Sequence, residues 1–287
     1  MQLMQIAISV GIDAALITFS LALAAFGLAI IYGLVGVINL GHGAMLTLGA
    51  YLSWYAVDSG APFFAAVLFA AVGVGLIGVV FEHLVIRHFY HRPFDTLLLT
   101  WGFFLVSTEA IKIVFGTSFR NVPSPFPSAI HTSFYDFPAY KTFVAGVTIV
   151  LLLATAFVLL KTSIGIKIRA LIQNREMASL LGLNIAATYK MVFGFGCAMA
   201  GLAGALLAPM LSIDPYIGNV FLIRSFFVVI VGGIGQILGG TLLGSFFIGG
   251  SETILALVSS QVVAQVAVFF IAILILRFRP QGLLGEK

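Results

Sequence analysis

Nine apolar blocks follow one another along this chain, near residues 12–36, 43–57, 61–86, 96–115, 142–160, 187–209, 217–233, 237–257 and 262–278. Runs of Leu, Ile, Val, Phe, Ala and Gly this long are poorly solvated by water, and about 20 consecutive apolar residues cross the hydrocarbon of a bilayer as a helix. Inside lipid the backbone must satisfy its own hydrogen bonds, which leaves only helices or a closed barrel. A barrel would show segments of alternating polarity about ten residues long, and none occurs. Composition points the same way: 8% of the residues are charged, against about 25% in soluble domains. The expectation is an all-α polytopic membrane protein of about eight to nine transmembrane helices, built as one domain over residues 1–287.

The basic residues orient it. No Lys or Arg precedes Arg87. Arg87 and Arg92 share the 82–95 loop, Lys161, Lys167, Arg169, Arg175 and Lys190 the 161–190 loop, and Arg277, Arg279 and Lys287 close the chain. Loops rich in Lys and Arg stay in the cytoplasm. The 116–141 loop holds four of the nine prolines and only Arg120 and Lys141, so it faces outward. Nine crossings then put the N-terminus outside and the C-terminus inside. The same rule explains the net charge of +4 without a nucleic-acid partner. The opening residues "MQLMQIAISVGID" have no basic n-region and do not read as a cleaved signal peptide.

Against this background a cytoplasmic stretch stands out, "RALIQNREMASLLGLN" at 169–184. Asn174 suits an N-cap, Glu176 the first turn and Gly182 the C′ position, so residues 175–181 predict a short capped helix of about 10 Å. Such a helix cannot cross a bilayer. Arg175 and Glu176 give it polar groups, and Met177, Leu180 and Leu181 an apolar side.

Three other features carry candidate roles. In "GVINLGHG" (36–43), Asn39 and His42 interrupt an apolar region that Gly36, Gly41 and Gly43 loosen. Two readings stand: a tight cytoplasmic turn, or a break at membrane depth lining a transport path. Small residues at spacing four, Ala200 with Gly204, Gly235 with Gly239 and Gly240 with Gly244, predict close helix packing in lipid, and "GGIGQILGG" predicts a turn near the cytoplasmic face. Intramembrane charge is sparse. Glu109, three residues before Lys112, is a pathway candidate or half of an interfacial ion pair, and Glu252 follows a glycine pair.

Several activities find no residues to carry them. The sequence contains no G-x-x-x-x-G-K-[ST], so no phosphate-cradling loop for ATP. No nucleophile–base pair or metal cluster occurs at suggestive spacing. His83, His88 and His91 flank Arg87 and Arg92 as ordinary interfacial residues. Cys197, the only cysteine, lies in an apolar run and reads as a packing residue.

The 169–184 segment resembles the cytoplasmic loop of bacterial ABC-importer permeases. Glu176, Ala178 and Gly182 match their E-A-A-x-x-x-G spacing, with Met177 at the middle alanine and no downstream Ile-x-x-Pro element. Further segments are similar to the LivH-type branched-chain amino acid permeases: "YGLVGVINLGHGAMLTLGAYLSW" (32–54), "SLLGLNIAATYKMVFGFGCAMAGLAGALLAPM" (179–210), "DPYIG" (214–218), "VVIVGGIGQILGGTLLGSFFIGGSE" (228–252) and "RPQGLLG" (279–285).

This resemblance runs in order over essentially the whole chain. It implies an importer permease of the bacterial cytoplasmic membrane with no cofactor of its own. Its partners would be a second, LivM-like permease, two ABC ATPases that use ATP and magnesium, a periplasmic binding protein and membrane lipid. Arg169, Asn174, Arg175, Glu176, Ala178, Leu181 and Gly182 would couple it to the ATPases. The cargo would be branched-chain or other amino acids, amides, urea or small carboxylates. The competing class is a stand-alone channel or secondary carrier for a small polar solute such as urea or an amide. Against it stand the lack of a second copy of "GVINLGHG" and the capped cytoplasmic helix, for which a carrier has no use.

Overall fold

The computed structural model describes residues 2–90, 92–126, 129–131 and 136–285; His91 and Lys287 lie outside them. Twelve α-helices make up almost all of this. They are α1 (Gln2–Val35), α2 (His42–Asp58), α3 (Phe63–Leu84), α4 (Pro93–Phe115), α5 (Ala139–Lys161), α6 (Ser163–Gln173), α7 (Arg175–Leu180), α8 (Ile185–Leu207), α9 (Ile217–Gly232), α10 (Ile237–Ser245), α11 (Ser251–Leu255) and α12 (Gln261–Phe278). A wider-wound turn of π-helix, Phe246–Gly250, joins α10 to α11 into one bent rod. Two two-residue strands, Ile130–His131 and Asp136–Phe137, pair in the 116–138 loop. The chain is an all-α polytopic membrane protein.

Nine apolar rods coincide with the nine blocks, but they are not equal. Seven helical stretches among the described residues have the length and hydropathy to cross a membrane. α9 and α2 have only 16 and 17 residues, about 24–26 Å at 1.5 Å per residue. Each is preceded by non-helical chain, residues 36–41 before α2 and 211–216 before α9. α1 also begins earlier than its apolar block, at Gln2 rather than near residue 12.

α1 and α8 form the centre, and glycines set their spacing. Gly27 lies against the Gly196 carbonyl and Ala200 N, and Gly196 faces Ile31, so the two helices run antiparallel. On its other side α8 meets α3, where Gly75 opposes Ala198, Gly78 opposes Cys197 and Gly194 faces Val79. A methyl on Gly78 would sit 2.5 Å from Cys197 Cβ, which explains why a small residue is needed there. Gly204 touches the α2 backbone at Leu46 and Ala50. Without a hydrophobic driving force between helices in lipid, such close approach supplies the packing energy. By contrast α3, α4, α5 and α12 leave much of their surface open, with Leu68, Leu76, Leu98, Val106, Leu153 and Phe270 exposed.

The turn between α9 and α10 is built on Gly233 (φ +116°) and Gly235 (φ +89°), both conformations that only glycine adopts readily. The "RPQGLLG" tail folds back onto it: Leu283 N–H donates to Val231 O at 2.8 Å and Leu284 N–H to Gly232 O at 3.2 Å. The tail thereby satisfies carbonyls that the end of α9 leaves free.

Candidate functional site

α7 is made by its ends. Asn174 leaves helical geometry (φ −154°, ψ 102°), and its Oδ1 accepts the Met177 N–H at 2.9 Å. Such a cap contributes about 1 kcal/mol. At the other end Gly182 takes φ +82°. Leu183 N–H then donates to Ala178 O at 3.1 Å and Gly182 N–H to Ser179 O at 3.0 Å, the paired bonds of a Schellman ending. Glu176 lies in the first turn, where the helix dipole favours an anion. The flanking helices are capped alike: Thr162 Oγ1 accepts from Gly165 N, and Asn184 Oδ1 from Ala187 N.

The orientation of α7 matters most. Ala178 is buried against the chain, while Met177, Leu180 and Leu181 are 54%, 80% and 75% exposed. The large apolar side chains of this helix point away from its own protein. Glu176 is exposed, whereas Arg169 and Arg175 are half-buried. Arg169 Nη1 is buried without a hydrogen-bond partner. Arg175 is drawn towards α8, its Cζ 5.3 Å from the centre of the Tyr189 ring.

The "GVINLGHG" segment is not a tight turn. His42 Nε2 donates to Ala24 O at 2.7 Å, and Ala24 sits eleven residues before the end of α1 at Val35, about 16 Å along the axis. Residues 36–41 therefore climb back beside α1 as non-helical backbone, starting from Gly36 at φ +76°. α2 opens inside the protein, where Gly43 meets Gly218 at the start of α9 backbone to backbone. Thr100 of α4 stitches the segment down, its Oγ1 accepting from Leu40 N at 3.1 Å. Asn39 is 1% exposed, and neither amide atom has a hydrogen-bond partner; nor does His42 Nδ1. Both polar side chains face the interior of the subunit.

Glu109 stands apart from this pair. Its side chain is 64% exposed on α4 and ion-paired with Lys112, which also donates to Tyr216 Oη at 3.2 Å. The small residues divide. Ala200 and Gly204 lie on the seams of α8; Gly240 packs on Gly232, Gly244 on Val228, and Gly239 against Leu284 of the tail. Gly235 is a correction to the packing expectation: it lies in the α9–α10 turn with nothing within 4 Å of its missing side chain, because the chain needs its positive φ rather than its smallness.

Sequence reasoning singled out Glu252 but missed its partner. Arg224 Nη2 donates to Glu252 Oε1 at 3.0 Å, and Gln261 Nε2 donates to the same oxygen at 2.8 Å. This pair, with Glu252 buried and Arg224 half-buried, ties α9 to α11 and α12. Its signal was legible: a lone cation and a lone anion in separate apolar blocks. Among the described residues no group of three or more His, Cys, Asp or Glu could hold a metal ion. His83 and His88 are hydrogen-bonded to Arg87 instead.

The chain is similar to permease proteins of branched-chain amino acid transport systems along nearly its whole length. It is 29% identical over 287 residues to the high-affinity branched-chain amino acid transport system permease protein LivH of Salmonella typhimurium, covering 92% of this chain and 91% of the relative. It is 28% identical to LivH of Escherichia coli and 26% identical to BraD of Pseudomonas aeruginosa, with the same coverage. No solved structure matches it. The model of the family described as branched-chain amino acid transport system / permease component matches residues 12–277. With the family model matched over residues 12–277, this protein belongs to that family of transport permeases.

Proposed function

We propose that the chain is the permease subunit of a binding-protein-dependent ABC importer in the bacterial cytoplasmic membrane, carrying branched-chain or related amino acids. It supplies half of the translocation pathway. A second permease, two ATPases and a periplasmic binding protein complete the machine, and the ATPases carry out ATP hydrolysis with magnesium. The observation that carries this reading is α7. A rigid helix of six residues, capped at both ends and held between α6 and α8, presents Leu180 and Leu181 to the outside. In the cytoplasm its natural partner is a cleft on an ATPase, and closure of the ATPases would move it.

The segment 36–41, which contains Asn39, and the adjoining His42 form the bistable part of the pathway in this reading, because non-helical backbone at membrane depth can rearrange without breaking a helix. The apolar character of the interior suits cargo with apolar side chains, and the names of the relatives point to the same class. The loops rich in Lys and Arg support an orientation with the C-terminus and α7 inside and the N-terminus outside.

The test is Glu176→Lys in the assembled transporter, reconstituted in liposomes with radiolabelled leucine. A cation in the first turn opposes the helix dipole and the partner cleft together, so uptake should be lost and the ATPases should no longer co-purify. Uptake at the unmutated rate overturns the assignment of α7. Leucine uptake by the chain without any ATPase overturns the importer itself.

A further inference from the structure

We infer that Arg175, Tyr189, Tyr90 and Glu82 form a latch that makes α3 and α8 follow α7, with Tyr189 and Tyr90 as positioning residues for energy coupling. This rests on the reading of α7 as the helix that meets the ATPases.

The four side chains come from four separate parts of the chain. Arg175 opens α7, Tyr189 lies in the second turn of α8, Tyr90 is in the loop between α3 and α4, and Glu82 is in the last turn of α3. Their contacts are continuous. The Arg175 guanidinium lies 5.3 Å from the Tyr189 ring centre. The Tyr189 ring meets Tyr90 edge to face, with centroids 5.0 Å apart and planes at 69°. Tyr90 Oη donates to Glu82 Oε1 at 2.7 Å. Burial, helped by that hydrogen bond, pushes the Tyr90 phenol above its ordinary range, so it remains a protonated donor.

The far end of this chain of contacts is anchored. Glu82 is 1% exposed, and its second oxygen is buried without a hydrogen-bond partner. A buried carboxylate with a single donor is costly to leave unpaired, which ties Tyr90 firmly to α3. Next to it the Phe81 ring meets Phe103 of α4 and Phe193 of α8 in tilted contacts, with centroids 4.5 Å and 6.5 Å apart. From there the glycine seam of α3 and α8 continues into the membrane through Gly78 and Gly75, and α8 reaches α2 at Gly49 and Gly204.

The latch solves a mechanical difficulty. α7 joins α8 only through residues 181–184, and its own large apolar side chains point outward. A push on such a helix would be absorbed by bending the four-residue connection. Arg175 sits at the opposite end of α7 from that connection, where the chain continues through Asn174 into α6; its contact with Tyr189 ties that end to α8 as well, so displacement of α7 is handed to α8 and α3 together.

The experiment uses the assembled transporter in liposomes with radiolabelled leucine, ATP hydrolysis being measured in parallel. Tyr189→Leu removes the ring that both Arg175 and Tyr90 touch. It should lower leucine taken up per ATP hydrolysed by about fivefold or more, the low end of coupling free energies between sites, while hydrolysis continues. Tyr189→Phe keeps the ring and should restore the ratio. Arg175→Gln, at a half-buried position, should lower the ratio in the same direction. A role in stability alone would lower uptake and hydrolysis in proportion and leave their ratio unchanged, which overturns the latch. A cysteine at Leu180, cross-linked to the ATPase in the unmutated background, separates the two ideas. Absence of that cross-link overturns the reading of α7. Its presence with an unchanged ratio in Tyr189→Leu overturns only the latch.

Discussion

Replacing Gly182 by Ala tests how α7 is built with few confounding effects. The position has φ +82°, and nothing lies within 4 Å of where a Cβ would stand. Any cost is therefore conformational rather than steric contact with the rest of the chain. Holding Ala in the left-handed region costs about 1 kcal/mol. A helix of six residues has no stability of its own in water, so its ends decide how often it is formed. A loss of about 1 kcal/mol should raise the local opening equilibrium about fivefold. Hydrogen exchange at residues 175–183 should speed up by that factor, while the centre of α8, packed through Gly194 and Gly204, should not change. Asn tolerates the left-handed region better than Ala, and β-branched Val tolerates it worse. Protection of α7 should therefore fall in the order Gly, Asn, Ala, Val, with leucine uptake falling in the same order. If exchange is unchanged in Gly182→Ala while uptake still falls, the reasoning is wrong. Gly182 would then be needed for the close approach of a partner and not for its φ.

Two further outcomes follow from the packing and the topology. Gly204→Ala drives a methyl into the Leu46 carbonyl and to 3.0 Å from Ala50 N, backbone that cannot step aside; it should destabilise the detergent-solubilised chain by about 1–3 kcal/mol, whereas Gly102→Ala, with nothing within 4 Å, should be neutral or slightly stabilising, and equal melting temperatures for the two variants would refute the seam. A cysteine at Gln5 in a Cys197→Ala background should react with a membrane-impermeant thiol reagent in intact cells, because no basic residue before Arg87 holds the N-terminus inside; labelling only after permeabilisation would invert the proposed topology.

The helices were legible because one force dominates. In lipid an uncharged apolar run has no alternative to a helix, so the nine blocks and the nine rods agree. The caps of α7 were legible for a related reason: Asn174 and Gly182 act through local backbone geometry, which spacing alone specifies. The depth of a helix start is different. "GVINLGHG" allows a surface turn or a re-entrant segment equally well, and the choice is made by His42 reaching Ala24 and by Thr100 holding Leu40. Those contacts join residues 18 and 60 positions apart, which no local pattern encodes. Gly235 was misplaced for the same reason, since GxxxG spacing cannot distinguish a helix seam from a turn that needs positive φ.

The candidate residues divide along this line as well. Glu176, Leu180 and Leu181 could be picked out because α7 exposes them, and an exposed apolar helix in a polar loop is visible in sequence. Arg175 was read as an outward contact on the same grounds, yet it turns to Tyr189. Tyr90 and Tyr189 gave no signal, because aromatic residues beside loops rich in Lys and Arg are ordinary anchors at a membrane interface. Only their mutual contact, and the buried carboxylate of Glu82 behind them, gives them meaning. Arg224 and Glu252 show the intermediate case: each is conspicuous alone in its block, but their pairing joins helices 28 positions apart. On the proposed reading, the parts of this permease that would meet other molecules are marked locally, whereas the parts that would carry motion between its ends are defined by contacts that exist only once the helices have packed.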